Sequence, residues 1–237
     1  MILLSDSELA ALEVRRTSRR RDFQEWNLPI ELILASASPR RQELLRNAGI
    51  SFVAQPTDIP EGPLSGETPR ACAERLAREK ALAISPQHPK SYVLGADTIV
   101  VVDNLMLGKP SDVADARRML RLLSGKTHQV ITGVCLVGPG KSGTGRQSGL
   151  RPNSAPEREG TSHKFVDVRS ETTSVTFCEL SNQDIEDYIQ SGEPMDKAGA
   201  YAIQGRASRW IPRIEGDYFN VVGLPVALVW TMLREHK

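Results

Sequence analysis

The segment at residues 32–41, LILASASPRR, joins a short apolar run to two arginines at the start of a helix. The four leading apolar residues predict a buried strand, Ser38 is a good N-cap, and Pro39 is a good first helical residue. A helix N-terminus offers unpaired backbone N–H groups and the positive end of the helix dipole. Arg40 and Arg41 are unfavourable there unless an anion lies between them, and phosphate matches the guanidinium fork. The segment therefore points to a phosphate site; the alternative is that both arginines face water.

A single carboxylate, Asp97, interrupts an apolar run in the stretch GADT at residues 95–98. Strand interiors disfavour aspartate, and a buried carboxylate must be paired, hydrogen-bonded or bound to a metal. Asp103 and Asn104 form a tight-turn dipeptide, so the chain returns as a hairpin and brings Lys109 back towards Asp97. The two side chains can then face one cleft. The alternatives are a purely structural aspartate and a plain salt bridge.

The motifs of several common enzyme classes are absent from the chain. There is no G-x-x-x-x-G-K-[ST] loop and no G-x-S-x-G, and the four histidines have no triad-like setting. What remains is a set of carboxylates that suit Mg²⁺, namely Glu61, Asp97 and Asp196. It is accompanied by cationic side chains that suit phosphates, namely Arg40, Arg41, Lys80 and Lys109. This inventory favours metal-assisted hydrolysis at phosphorus.

Strands and helices interleave along the chain. Strands are predicted over residues 32–35, 51–54, 91–97, 98–102, 105–107, 128–137, 164–178 and 209–214. Helices are predicted over residues 39–47, 69–84, 112–123, 182–190 and 223–234, and residues 195–204 are expected to be irregular. This order predicts an α/β fold with a mixed sheet.

Composition excludes several classes of partner. The 237 residues carry a formal net charge of +1, so no overall field favours nucleic acid or an anionic membrane. No apolar run approaches the ~20 residues that span a bilayer, and acidic residues in the first 29 positions argue against a secretory or mitochondrial signal. Three widely spaced cysteines form neither a zinc motif nor a disulfide framework, which favours a reducing compartment and a cytoplasmic location.

Eight motifs, taken in order, resemble the Maf family of nucleoside triphosphate pyrophosphatases over about residues 32–232. The first four are LASASPRRQELL at 34–45, LAREKA at 76–81, GADTIV at 95–100 and GKP at 108–110. The others are LSGKTHQVIT at 123–132, EPMDKAGAYAIQG at 193–205, GD at 216–217 and VGLP at 222–225.

The resemblance implies a mixed, twisted α/β sheet flanked by helices, in two lobes around a deep cleft, as in inosine triphosphate pyrophosphatase-like folds. It implies hydrolysis of a nucleoside triphosphate to the monophosphate and pyrophosphate with a divalent metal, Mg²⁺ or Mn²⁺. Asp97 matches the family's proton acceptor. The other matching cleft residues are Ser36, Arg41, Glu61, Lys80 and Lys109.

On this interpretation Asp97, Glu61, Lys80 and Lys109 are catalytic, and Asp97 and Glu61 also hold the metal. Asp97 cannot serve fully as both a tight metal ligand and a base, and the sequence leaves that choice open. The phosphate-binding residues are Ser36, Arg40 and Arg41. Arg40, Thr98 and Gln204 match positions that distinguish the branch acting on dTTP and UTP, so we expect these substrates and modified pyrimidine triphosphates. The alternatives are a 7-methyl-GTP pyrophosphatase and a nucleotide-binding regulator of cell division or septum formation without significant turnover.

The chain departs from the family pattern twice. We expect residues 1–30, with their arginine cluster, to be a poorly ordered extension, and residues 31–237 to form the Maf-like catalytic domain. Residues 138–163, rich in Gly, Ser, Arg and Pro, predict a flexible insertion. No motif residue is lost, but the insertion could cover a dimer surface, which allows a homodimer.

Overall fold

A computed structural model describes residues 30–139 and 165–236, and within these ranges strands and helices interleave as expected. The strands are β1 (Leu32–Leu34), β2 (Val53–Ala54), β3 (Tyr92–Val102), β4 (Leu105–Leu107), β5 (Thr127–Gly138), β6 (Phe165–Thr176) and β7 (Arg213–Glu215). The helices are α1 (Pro39–Asn47), α2 (Pro69–Ile84), α3 (Val113–Leu123), α4 (Asn182–Gln190), α5 (Tyr218–Val222) and α6 (Val226–Glu235). Short 3₁₀ turns occupy Ser85–Gln87, Glu193–Asp196, Ala198–Ala200 and Arg206–Trp210.

The described strands form one sheet in the order β2-β1-β3-β5-β6-β7, with β4 paired to β3. Strand β1 runs parallel to β2 and β3, whereas β3, β5, β6 and β7 are antiparallel neighbours. The expected mixed α/β sheet is confirmed. The two-lobe arrangement stays a prediction.

Helix α2 lies directly against β3 and β5, and two glycines make this close approach feasible. A Cβ atom at Gly95 would lie 2.1 Å from the carbonyl oxygen of Ala77, and one at Gly133 would lie 2.2 Å from that of Ala73. The helix turns its small residues to the sheet, and Lys80, one turn beyond Ala77, is buried with them. The approach therefore places a lysine over the middle of β3.

Three local expectations about secondary structure change. The runs 91–97 and 98–102 form one continuous strand, because Asp97 keeps its ladder pairing with Gly133. The expected strand at 209–214 is wrong in its first part, since Arg206–Trp210 forms a 3₁₀ turn and buries Trp210 against Tyr188. The expected terminal helix at 223–234 starts later, at Val226, because Gly223 has a φ of 127° and ends α5.

Both departures from the family pattern fall outside the described residues, apart from their edges. Residues 1–29 and 140–164 lie there, so the extension, the insertion and the domain limits stay predictions. Within residues 30–139 and 165–236, no helix has the length and apolar composition that crossing a membrane requires.

Candidate active site

A cavity of about 890 Å³ opens where β1 passes into α1 and where the middle of β3 faces α2. It is closed on a further side by the segment at residues 196–204. The nine residues singled out from the sequence all line this cavity. They are Ser36, Arg40, Arg41, Glu61, Lys80, Asp97, Thr98, Lys109 and Gln204. Six separate chain segments thus converge on one space, while the role of each residue stays a prediction.

The Lys80 ammonium lies at the centre of the charged side chains. Its Nζ atom donates to Asp97 Oδ1 at 2.6 Å and to Glu61 Oε1 at 2.6 Å. Asp97 comes from β3 and is 8% exposed, and Lys80 comes from α2 and is 6% exposed, so water screens their attraction little. Asp97 and Lys109 line one cavity, as expected. The alternative of a salt bridge between them does not hold among the described contacts, in which Asp97 pairs with Lys80 and Lys109 pairs with Glu61.

Glu61 connects the buried pair to the mouth of the cavity. Its second oxygen, Oε2, accepts a hydrogen bond from Lys109 Nζ at 2.9 Å, and its side chain is 42% exposed. Burial acts to raise the pKa of Glu61, but hydrogen bonds from Lys80 and Lys109 outweigh burial and lower that pKa to about 2. Glu61 is therefore a carboxylate at neutral pH.

Helix α1 begins as expected, with Pro39 in its first turn and Ser38 as N-cap. Ser38 Oγ accepts from the backbone N–H of Arg41 at 3.4 Å. The Arg41 guanidinium then turns inward: Nε donates to the Gly223 carbonyl at 2.8 Å, and the two terminal nitrogens donate to Ser36 Oγ at 3.3 Å and Thr98 Oγ1 at 3.1 Å. Burial lowers the pKa of Arg41, while the charges of Asp97 and Glu61 act to raise it.

Arg40 takes a different direction from Arg41. One of its nitrogens contacts Asp196 Oδ2 at 3.4 Å, and the Arg40 side chain remains 29% exposed. Asp196 is also bonded to Lys197, whose Nζ donates to the backbone carbonyl of Glu193 at 2.6 Å. These contacts tie Asp196 and Lys197 into their own loop.

A hydrogen-bonded chain behind Thr98 was not found from the sequence. Thr98 Oγ1 lies 3.0 Å from Thr132 Oγ1, which donates to the Asn220 carbonyl at 3.2 Å. The Asn220 amide is fully buried and donates to Val130 O at 2.9 Å and Thr173 Oγ1 at 3.0 Å. These contacts fix the turn that presents the Gly223 carbonyl to Arg41. The only available signal was a polar Asn between the motifs at 216–217 and 222–225.

The donor set suits an open metal site rather than a closed cage. Among the residues that the structure describes, no cluster of three or more His, Cys, Asp or Glu is arranged to hold a metal ion. Glu61 and Asp97 are joined through one ammonium, so their carboxylates lie close together. Mg²⁺ commonly takes one or two protein carboxylates and fills its other positions with water and substrate phosphates. The pair fits that kind of site.

The fold and the cavity define an α/β protein with a charged cavity beside its mixed sheet, and the sequence relatives identify the family. The family model described as "Maf-like protein" matches residues 31–236. The chain therefore belongs to the Maf family.

Curated relatives match nearly the whole chain. The dTTP/UTP pyrophosphatase of Koribacter versatilis (strain Ellin345) is 52% identical over 209 residues, which cover 88% of this chain and 96% of the relative. The dTTP/UTP pyrophosphatase of Symbiobacterium thermophilum is 48% identical and covers 86% of this chain and 93% of its own length. That of Clostridioides difficile (strain 630) is 42% identical, with 87% and 95% covered.

Two solved structures are distantly similar. The Staphylococcus aureus Ham1 protein matches with a TM-score of 0.43 and 15% identity, covering 87% of this chain and 100% of that chain. A nucleoside-triphosphatase / dITP/XTP pyrophosphatase from Mycobacterium abscessus matches with a TM-score of 0.33 and 16% identity, covering 62% and 73%. Family membership rests on the sequence relatives.

Proposed function

We propose that this protein is a nucleoside triphosphate pyrophosphatase that hydrolyses dTTP and UTP, and modified pyrimidine triphosphates, to the monophosphate and pyrophosphate. One observation carries the proposal: a buried ammonium, Lys80, holds Asp97 and Glu61 at 2.6 Å each inside a cavity rimmed with arginine and lysine. Membership of the Maf family and the names of its dTTP/UTP pyrophosphatase relatives support the substrate class.

The triphosphate binds along the cationic rim. A guanidinium has five N–H groups, and Arg41 uses three of its groups in the contacts to Gly223, Ser36 and Thr98. Two N–H groups of Arg41 are therefore left for phosphate oxygens. Arg40 and Lys109, whose side chains are 29% and 58% exposed, add positive charge where the phosphates enter.

Asp97 acts as the general base. One of its oxygens accepts from Lys80, which orients the carboxylate, and the other takes a proton from the attacking water. The water oxygen bonds to the α-phosphorus, the bond from the α-phosphorus to the α–β bridging oxygen breaks, and pyrophosphate leaves. Lys80 and Lys109 hold Glu61 and Asp97 in place, which supplies the orientation that this step needs.

A divalent ion, Mg²⁺ or Mn²⁺, would be held by Glu61 and phosphate oxygens, with Asp97 as a weaker ligand because its oxygens also serve Lys80 and the attacking water. When bound, such an ion neutralises the charge that develops on the leaving pyrophosphate. Its affinity depends on deprotonated carboxylates, and the low pKa of Glu61, about 2, keeps that ligand ionised at neutral pH.

Gln204 reads the base. Its side chain is exposed on the cavity wall, and an amide offers one acceptor and two donors, which complement the carbonyl and N–H edge of uracil or thymine. Thr98 acts on specificity through Arg41, to which its hydroxyl is bonded at 3.1 Å.

The test is a panel of dTTP, UTP, CTP, GTP and 7-methyl-GTP with Mg²⁺ or Mn²⁺, assayed separately for pyrophosphate and orthophosphate. We expect pyrophosphate from dTTP and UTP, and a loss of roughly 10³-fold in kcat for Asp97→Asn. Asp103→Asn is the matched control. Asp103 lies in the exposed turn that follows the strand of Asp97, and its φ of 48° is one that Asn tolerates.

Three outcomes would contradict the proposal. An active Asp97→Asn variant would refute the general base. Tight binding of dTTP without turnover would favour the regulator of cell division. Preference for 7-methyl-GTP over dTTP and UTP would show that the protein is a 7-methyl-GTP pyrophosphatase.

The setting of the enzyme is part of the same proposal. Cys72, Cys135 and Cys178 are free thiols, which supports a reducing, cytoplasmic location. We also propose a homodimer and a catalytic domain at residues 31–237, so that removal of residues 1–30 leaves kcat unchanged. Light scattering of the full-length protein and of the protein without residues 1–30 measures their masses in solution and tests the dimer.

A further inference from the structure

One carboxylate closes the loop that carries Gln204. The Glu193–Arg206 loop begins at Glu193, whose side chain reaches thirteen residues ahead and accepts the backbone N–H of Arg206 at 3.1 Å on Oε1 and 3.2 Å on Oε2. The same Oε1 accepts from the Tyr188 hydroxyl at 2.8 Å. Residues from within this loop, including Asp196, Lys197 and Gln204, line the cavity.

Tyr188 supplies the second fixed point. Its hydroxyl oxygen accepts the backbone N–H of Ala202 at 3.1 Å while its proton goes to Glu193. The ring is fully buried on α4 and packs edge-on against Trp210 at 5.1 Å between centroids, so the hydroxyl sits on a rigid support. Ala202 and Arg206 flank Gln204 by two residues on either side, and both backbone N–H groups are held by the Tyr188–Glu193 pair.

The loop backbone lies hard against the carboxylate. A Cβ atom at Gly205 would come 1.9 Å from Glu193 Oε1, so a larger residue there would displace the carboxylate from this position. Glu193 and Tyr188 do not themselves line the cavity. They can act on a nucleotide only through the backbone that they hold.

We propose that Glu193 and Tyr188 are positioning residues that set the place of Gln204 and, through it, the discrimination between bases. This inference rests on the proposed function, in which Gln204 reads the base. We call the Tyr188–Glu193 pair and its hydrogen bonds to the backbone of Ala202 and Arg206 the clamp. Without the clamp, the loop samples several positions, and the Gln204 amide no longer meets a pyrimidine edge in one geometry.

The experiment measures the ratio of Kd values for α,β-methylene-UTP and α,β-methylene-GTP by calorimetry. These analogues resist cleavage at the α–β linkage, so the readout does not require turnover. Glu193→Ala and Tyr188→Phe should shift the ratio towards GTP by roughly tenfold, the value of about one hydrogen bond, as Gln204→Ala should.

Two further variants separate positioning from general damage. Glu193→Gln should keep the ratio within about threefold, because an amide oxygen in the place of Oε1 still accepts from Tyr188 and Arg206. Glu179→Ala, an exposed glutamate outside the cavity, should leave the ratio unchanged. Tyr188→Phe keeps the buried ring, so it tests the inference even where Glu193→Ala fails to fold.

Equal weakening of both analogues in Glu193→Ala and Tyr188→Phe would overturn the inference, since a purely structural role lowers affinity without altering the ratio. An unchanged ratio in Gln204→Ala would overturn it too. Selective binding of the UTP analogue by a wild-type protein that does not hydrolyse UTP would instead refute the proposed function and leave the clamp standing.

Discussion

Replacement of Lys80 by methionine tests whether a buried ammonium stabilises the active-site carboxylates. The Lys80 side chain is 7% exposed and lies 2.6 Å from both Asp97, at 11%, and Glu61, at 42%. Removal of one member of a buried pair costs about 3–5 kcal/mol, because the remaining charge is left uncompensated. Glu61 is hydrated and keeps Lys109, so most of the cost falls on Asp97. We expect Lys80→Met to lower the free energy of unfolding by about 3 kcal/mol.

A double-mutant cycle isolates the interaction between Lys80 and Asp97. The chain offers a matched control in Lys126 and Asp103, which are also 2.6 Å apart but 43% and 61% exposed. We expect a coupling energy of about 2–3 kcal/mol for the buried pair and below about 1 kcal/mol for the exposed pair. Each cycle combines a Lys→Met and an Asp→Asn variant.

Urea unfolding at pH 7, followed by circular dichroism, gives the four free energies of each cycle. Equal coupling energies for the two pairs would refute the reasoning, because distance is the same and only burial differs. Failure of Asp97→Asn to recover any stability in the Lys80→Met background would also contradict it.

Two other predictions concern the core beneath the site. Burial lowers the pKa of His128 to about 4, so its neutral ring, bonded to Tyr201, contributes stability above pH 6.5 that is lost as pH falls towards 4. The difference in unfolding free energy between wild type and His128→Gln should change by on the order of 3 kcal/mol across this range; parallel curves would contradict it. Gly133→Ala places a Cβ atom 2.2 Å from the Ala73 carbonyl and should cost about 1–3 kcal/mol in urea unfolding. Gly62→Ala meets nothing within 4 Å and should cost far less, and equal losses would show that α2 can move away from the sheet.

Features that depend on a few neighbouring residues were predictable. The cap and first turn of α1, the bounds of α2, and the turn at Asp103 and Asn104 with φ of 48° and 61° all follow from local preferences. The types of residue in the cavity were predictable as well, since phosphate and metal chemistry requires arginine, lysine and carboxylates. The eight motifs, read together, identified the family.

Features that depend on distant packing were not predictable. The first part of the strand expected at 209–214 is a 3₁₀ turn because Trp210 is buried against Tyr188, a contact that no local preference encodes. Asn220 escaped notice because a buried asparagine looks like any polar turn residue until its partners are known.

The sequence by itself determined which charged groups the protein owns and which short elements carry them. Only the tertiary structure decided which of them meet: Lys80 with Asp97 17 residues away, and Arg41 with the Gly223 carbonyl 182 residues away. The physical reason is that one set of close contacts is selected by the strand register and by the approach of α2 to the sheet. Both depend on residues that lie far apart in the sequence. Burial then gives that set its strength.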